Sequence, residues 1–322
     1  MKVLCIGHAS YDISMPLEEY PIENIKYRVN EKIECGGGPA STAAYLLGSF
    51  GVPTVFKGVV GNDIFGRRIV SEFKEIGVDT RYIEVNNKVD TTISFIIINK
   101  KNGSRTVFNY ASSYPMLRNN EYDFYPEFIL IDGHNYRGSK LALEKFPNAI
   151  SVIDAGRDAR EVIELAGMVN YLVCSKEFAE KVSNIKIDFN NKKTLIDVYE
   201  YLKNKFKNII VITLEDKGCF IKDDDGYKLI TAVKVTPKDT TGAGDIFHGA
   251  FLYALTKNMS LMDACKFSNI CAGLSLRHIG TRNSIPNLKE VEEIFYFNEK
   301  ANWPFYIYAS NPWSSWSRQS LC

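Results

Sequence analysis

Residues 236–250 read TPKDTTGAGDIFHGA, with two carboxylates, Asp239 and Asp245, flanking a Thr-Gly-Ala-Gly run that leads into an apolar helical pattern. Gly242 and Gly244 let the backbone turn tightly and let a ligand come close. The amides of Gly242, Ala243, Gly244 and Asp245 then point out of a helix N-terminus. Four such donors, with the positive end of the helix dipole, make an anion site. A carboxylate in that first turn can serve only as a cap. Here Asp239 and the threonines already serve the local turns, so capping does not need Asp245. Beside an anion hole, a carboxylate can take a proton from an alcohol while the hole steadies charge developing on a phosphoryl group. The dipole and the amides lower its proton affinity and a closed, dry site raises it. The sequence leaves that balance open.

Such a turn needs a rigid frame. Apolar runs of strand length, at 2–7, 54–60, 128–133, 149–156, 170–175 and 208–215, alternate with helical patterns at 39–50, 65–77, 138–146 and 191–206. Strand–helix alternation predicts an α/β fold, a mostly parallel sheet with helices on both faces. Residues 242–258, 260–277 and 287–297 read as three further helices. Two pieces, 11–35 and 88–110, break the rhythm with strands that have no helix between them: YRVNEKIE, TTISFIIIN and SRTVFNY, with an Asn-Gly turn between the last two. They predict a small antiparallel sheet projecting from the main body. It reads either as a lid that closes over a ligand or as a plain extension of the fold. The domain therefore spans 1–297. The remainder, 298–322, is a tail holding all three tryptophans, Trp303, Trp313 and Trp316. That tail reads either as a partner-binding extension or as an end without function.

The bulk properties exclude several classes. With 39 basic and 38 acidic residues, a net charge of +1 and no long basic block, nucleic acid is not the expected partner. The seven cysteines lack CxxC spacing and sit in apolar runs such as VLCIG and YLVCS, which predicts buried, reduced thiols. No run approaches the ~18 to 20 apolar residues of a membrane span. The first residues, MKVLCIGHASYD, are too short in apolar character for a signal peptide, so a cytoplasmic location is expected. There is no Gly-x-x-x-x-Gly-Lys-Ser/Thr loop, no protein-kinase signature and no dinucleotide fingerprint after the first strand.

Three segments resemble one family. DTTGAGDIFHGA is similar to the C-terminal signature of the ribokinase-like, or PfkB, sugar kinases. ECGGGPASTAAYLLGSFG (34–51), followed by KGVVGNDIFGRRI (57–69), resembles their N-terminal signature. VITLEDKGCF (211–220) resembles their nucleotide segment, and the three occur in family order. The resemblance implies a three-layer ribokinase-like fold with a small β-sheet lid, and ATP-dependent phosphorylation of a sugar. It implies that Asp245 is the catalytic base and that Gly242, Ala243 and Gly244 form the anion hole. It places Asp12, Gly36, Gly37, Ser41, Asn109 and His134 around the sugar. Thr213, Gly218, Asn269, Ala272 and Gly273 fall at the nucleotide. Implied with these are magnesium and a monovalent cation near HIGTRNS (278–284). Separately, exposed lid strands need cover, and on that ground alone a homodimer through the lid is expected.

The departures bear on substrate and metal. The family's magnesium-linked Asn-x-x-Glu segment is degenerate here, CSKEF, leaving Glu177 as the stand-in. Ser41 stands where ribokinases carry Asn, and Gly38-Pro39 where they carry Lys-Gly, so ribose is not the first expectation. GGGPA paired with DTTGAGDIFHGA resembles sulfofructose kinases, and GSRTVFNY resembles ketohexokinases. A ketohexose or a derivative is the expected acceptor; ribose, a nucleoside or a sugar phosphate is the alternative within the family. An anionic substituent on it calls for a cation, and LIDGHN offers His134 and Asn135, with Arg137 and Arg157 nearby in sequence. A sensor that binds sugar and nucleotide without transfer is the reading from another class.

Overall fold

The computed structural model describes residues 2–111, 117, 119–300 and 306–308. The N-terminal part holds β1 (Val3–Ile6), β2 (Ser10–Leu17), β3 (Ile33–Gly37), α1 (Pro39–Ser49), β4 (Thr54–Lys57), β5 (Val59–Gly61) and α2 (Ile64–Glu75). There follow β6 (Glu84–Asn86), β7 (Thr92–Asn99), β8 (Arg105–Tyr110), β9 (Phe128–Ile131), α3 (Tyr136–Lys145), β10 (Ile150–Ala155) and α4 (Arg160–Ala166). The C-terminal part holds β11 (Tyr171–Ser175), α5 (Lys176–Ser183), α6 (Lys193–Phe206), β12 (Ile209–Thr213), β13 (Cys219–Asp223) and β14 (Gly226–Ile230). The last elements are α7 (Ala243–Thr256), α8 (Leu261–Ser275), α9 (Leu288–Lys300) and β15 (Tyr306–Tyr308).

The main sheet has the order β15-β14-β13-β12-β11-β10-β9-β1-β4. From β4 to β12 every pairing is parallel; β13, β14 and β15 are antiparallel additions at one edge. Side chains alternate across the sheet, and the core divides accordingly. Val3, Cys5, Leu130, Val152, Val173 and Val211 pack with buried residues of α1, α2, α7, α8 and α9. Leu4, Ile6, Ile129, Ile131, Ile153, Leu172 and Ile210 pack with those of α3, α4, α5 and α6. The result is the three-layer α/β arrangement expected from the alternation. A separate sheet, β3-β2-β7-β8, carries the lid strands. In it β2 and β7 run parallel and the outer pairs antiparallel.

Three local expectations are corrected. The run 54–60 is two strands: after Lys57 the chain leaves the main sheet at Gly58, and β5 pairs instead with β6. Residues 27–32 of YRVNEKIE are exposed and unpaired in any sheet; pairing begins at Ile33, where burial begins. The β13–β14 hairpin was not anticipated, because the charged stretch 215–217 and 222–225 masks two short strands whose inner residues, Cys219, Phe220, Ile221 and Ile230, are buried. All six described cysteines are buried and reduced. No helix among the described residues is long and apolar enough to cross a membrane. The three tryptophans lie outside the described residues; of the tail, the backbone of 306–308 pairs with β14.

Candidate active site

Asp245 lies in the first turn of α7, whose N-cap, Gly242, has φ +75. A β-carbon at Gly242 would stand 2.6 Å from the Thr281 side chain, so both backbone and space require glycine. Intrahelical bonding begins with the Ile246 amide donating to the Gly242 carbonyl. The preceding amides therefore face outward, as helix geometry dictates. A β-carbon at Gly244 would meet no protein atom within 4 Å, so this side of the turn faces open space. Asp239 is buried and accepts from the Thr241 amide (2.8 Å), the Thr241 hydroxyl (2.6 Å) and the Gly280 amide (3.0 Å). It anchors the turn, which leaves Asp245 available for chemistry.

The Asp245 carboxyl is half-buried and is raised well above the usual carboxylate range. Burial is the largest cause, followed by the charges of Asp154 and Asp12; Arg105 opposes and Asp132 adds to the rise. Burial and the neighbouring carboxylates thus set the direction of the shift. Arg105, on the lid's edge strand, donates to the Thr240 hydroxyl at 2.7 Å, and the Gly103 carbonyl accepts from the Thr240 amide at 3.2 Å. The lid tip is thereby fastened to the catalytic turn. Arg105 was absent from the expected site, although it lies inside the quoted GSRTVFNY; only the register of β8 shows which way it reaches.

Two of the residues expected at the sugar, Asp12 and Asn109, share one row of the lid. Register puts Cys35, Asp12, Ser94 and Asn109 in a row across β3, β2, β7 and β8. Asp12 is 4% exposed. Its Oδ1 accepts from the Ser10 hydroxyl at 2.9 Å and its Oδ2 from the Thr281 hydroxyl at 2.6 Å. Asn109 Nδ2 donates to the Ser94 hydroxyl at 3.4 Å. A β-carbon at Gly37 would lie 2.0 Å from Asp12 Oδ2, so the glycine makes room for the carboxylate.

Ser41 is a correction. It is fully buried, and its hydroxyl accepts from Arg282 Nη2 at 2.7 Å. Arg282 is itself buried, lies over the rings of Phe73 and Tyr45, and pairs with Glu72 Oε2 at 2.7 Å. Glu72 also accepts from the Gly36 amide at 2.9 Å. A β-carbon at Gly36 would collide with Arg282. Ser41 and Gly36 therefore belong to a buried strut, the Ser41 hydroxyl bonded to Arg282 and the Gly36 amide to Glu72. Breaking such an ion pair from one side costs about 3 kcal/mol. Arg282→Leu is expected to lose about that much in urea unfolding, and a loss below ~1 kcal/mol would contradict the strut.

At the ends of β1 and β9, Asp132 accepts from the amides of His8 (2.7 Å), His134 (2.9 Å) and Ala40 (3.2 Å). Burial opposes its charge, but His134 and these amides outweigh burial and hold it below the usual carboxylate range. The His134 ring stacks on His8 with centroids 4.9 Å apart, and its Nδ1 is 3.4 Å from Asp132 Oδ1. Burial, with His134 and Arg157 nearby, pushes His8 down to about 4. Arg157 Nη2 donates to the Gly133 carbonyl at 3.4 Å, whereas Arg137 is exposed on α3. His134 thus lies just past the end of β9, with Arg157 among its charged neighbours.

Of the residues expected at the nucleotide, Gly218, Asn269 and Gly273 pack against or hydrogen-bond the 230–233 segment. Asn269 is buried and donates to the carbonyls of Ile230 (3.0 Å) and Thr231 (3.3 Å). Gly218, at φ +96, leaves no room for a β-carbon against the Ile230 carbonyl, and Gly273 packs on Val233. Thr213 donates to the Cys174 carbonyl at 3.2 Å, and Ala272 is half-buried. Asn269 thus holds the 230–233 segment through its side-chain amide. Glu177 is on the surface, its carboxylate 69% exposed and 2.9 Å from Lys181. Among the described residues no group of three or more His, Cys, Asp and Glu side chains could hold a metal ion. The residues present do not fit a protein-held ion at CSKEF.

The chain matches the description "pfkB family carbohydrate kinase" over residues 1–130 and 142–288. It is 28% identical over 305 residues to a ribokinase of Lactococcus lactis subsp. lactis (strain IL1403), covering 90% of this chain and 96% of that one. It is 23% identical over 290 residues to a ketohexokinase of Mus musculus, covering 84% and 95%. Its fold is similar to that of an Arabidopsis thaliana ribokinase complexed with ribose and ATP, with a TM-score of 0.71, 19% identity, and 91% and 98% of the two chains covered.

Proposed function

This chain belongs to the pfkB family of carbohydrate kinases, and we propose that it transfers the γ-phosphoryl group of ATP to a hydroxyl of a ketohexose or a ketohexose derivative. The observation that carries the reading is the place of Asp245 in the first turn of α7, beside the outward-facing amides of that turn and close enough to Asp12 of the lid row for that charge to act on it. The sugar hydroxyl oxygen attacks the γ-phosphorus and its proton passes to the Asp245 carboxylate. The bond from phosphorus to the β-bridging oxygen breaks, and ADP leaves. Amides of 242–245 and the Arg105 guanidinium face the charge that develops on the phosphoryl oxygens. The lid keeps water from the γ-phosphate. Magnesium enters with the nucleotide as its substrate complex.

The ketohexose assignment is supported by GSRTVFNY and by the buried position of Ser41, which removes the side chain that would occupy the ribokinase asparagine's place. His134 and Arg157 make the β9 end the place for an anionic substituent. A homodimer through the lid belongs to the same reading, supported by exposed Phe95, Phe108 and Tyr110 on β7 and β8, and analytical ultracentrifugation decides it.

A base raised above the usual range gives a visible pH signature. The ordinary carboxylate value is about 4. Because burial and neighbouring carboxylates hold the Asp245 proton more tightly, kcat/KM is expected to fall on acidification at a pH well above that value. A profile flat down to pH ~4 would contradict Asp245 as the base.

A further inference from the structure

His248 follows Asp245 by three residues and lies on the same side of α7. It is buried, and its two ring nitrogens meet only oxygens among the contacts observed. Nδ1 is 2.6 Å from the Gly244 carbonyl and 3.2 Å from Asp154 Oδ2. Nε2 is 3.2 Å from the Val173 carbonyl. Carbonyl oxygens only accept, so hydrogens on both nitrogens satisfy this arrangement, and a neutral ring would set one lone pair against another. Protons on both ring nitrogens, with Asp154 as the facing carboxylate, would satisfy all three contacts. The Gly244 carbonyl shares its rigid peptide plane with the Asp245 N–H. Holding that oxygen fixes the direction of one of the anion hole's donors.

We propose that Asp154 and His248 form a buried carboxylate–imidazolium dyad that positions Asp245 and its backbone amide for phosphoryl transfer. The proposal rests on Asp245 being the base. Asp154 is the penultimate residue of β10 and is in turn a charged neighbour of Asp245. The groups facing Asp245 are Asp154 from β10, Asp12 from β2, Arg105 from β8 and Asp132 from the end of β9. Those facing Asp154 are His248, Asp132 and His134. Within this set His248 is the member from α7 itself, and its contacts with Asp154 and the Val173 carbonyl tie the helix that carries the base to the sheet beneath it. Both members act through Asp245 and neither contacts the reacting atoms; they are positioning residues.

The test compares Asp154→Asn, His248→Asn and the double variant by kcat/KM for the sugar as a function of pH, with Asp245→Asn as the reference. In Asp154→Asn a like charge beside the base is gone, so the acid limb is expected to move to lower pH. Each single variant loses up to ~10²-fold in kcat, the cost of a misplacement of about 1 Å. The double variant is expected to be no worse than the worse single, as for residues acting as a unit. An acid limb unmoved in Asp154→Asn, or losses that multiply in the double, would overturn the dyad. A second measurement does not depend on the variants folding. In ¹⁵N spectra of the wild-type protein at pH 7, assigned from the α7 backbone, the His248 ring should carry protons on both nitrogens, and one protonated nitrogen alone would overturn the proposal. If Asp245→Asn keeps its turnover, the base assignment fails and takes the dyad with it. If that variant is inactive while the Asp154→Asn limb stays in place, the dyad alone fails.

Discussion

Asp245→Asn lowers turnover by ~10² to ~10⁴, the usual worth of a positioned general base. Asparagine has the same shape and fits the same half-buried place, so the turn and its amides stay. Sugar and ATP then bind within a few-fold of the wild type, and the loss falls on kcat. The substitution also removes a charge crowded by Asp154, Asp12 and Asp132. Relief of that repulsion means the variant melts no lower than the wild type. Loss of activity in a protein that is at least as stable separates a chemical role from a structural one. Near-normal turnover would remove Asp245 from the mechanism.

Asp12→Ala acts on the other substrate. The carboxylate that would accept from sugar hydroxyls is gone, and hydrogen bonds to charged groups contribute ~1.5 to ~3 kcal/mol. Sugar affinity is expected to fall by about tenfold to about 150-fold. The hydroxyls of Ser10 and Thr281 also lose their acceptor in a buried place. Thr281 touches Gly242 through the space a β-carbon would fill, so part of the loss reaches the catalytic turn. Calorimetry should show sugar binding falling more in Asp12→Ala than in Asp245→Asn. The reverse order would remove Asp12 from the sugar site.

The turn at the start of α7 was legible because its pattern is local. Two carboxylates and two glycines within seven residues, followed by a helix, mark a tight turn with unpaired amides. The strand–helix alternation was legible for the same reason, since each element's burial pattern repeats within a few residues. Ser41 was misread because its partner, Arg282, lies 241 residues away and no spacing reports an ion pair closed by the fold. Arg105 was passed over because its function depends on β8 crossing to Thr240, a contact 135 residues apart in sequence. Asn269 was read as a ligand neighbour, whereas its amide is spent on the carbonyls of Ile230 and Thr231. Asp154 and His248 carried no local signal, one at a strand end and one inside an apolar helix, and only the packing of α7 on the sheet joins them. Glu177 stood in a plausible segment, but the first turn of α5 turns it to solvent beside Lys181.

The most direct measurement is ADP release with Mg-ATP across a panel of fructose, other ketohexoses, ribose, sulfofructose, hexose phosphates and nucleosides, with Asp245→Asn as the blank. The account predicts that one ketohexose, or a derivative of one, accelerates ADP release and that the variant loses this acceleration. Acceleration by ribose or a nucleoside alone would contradict the acceptor assignment. No acceleration by any member, in a protein that calorimetry shows to bind sugar and nucleotide, would contradict the transfer reaction itself.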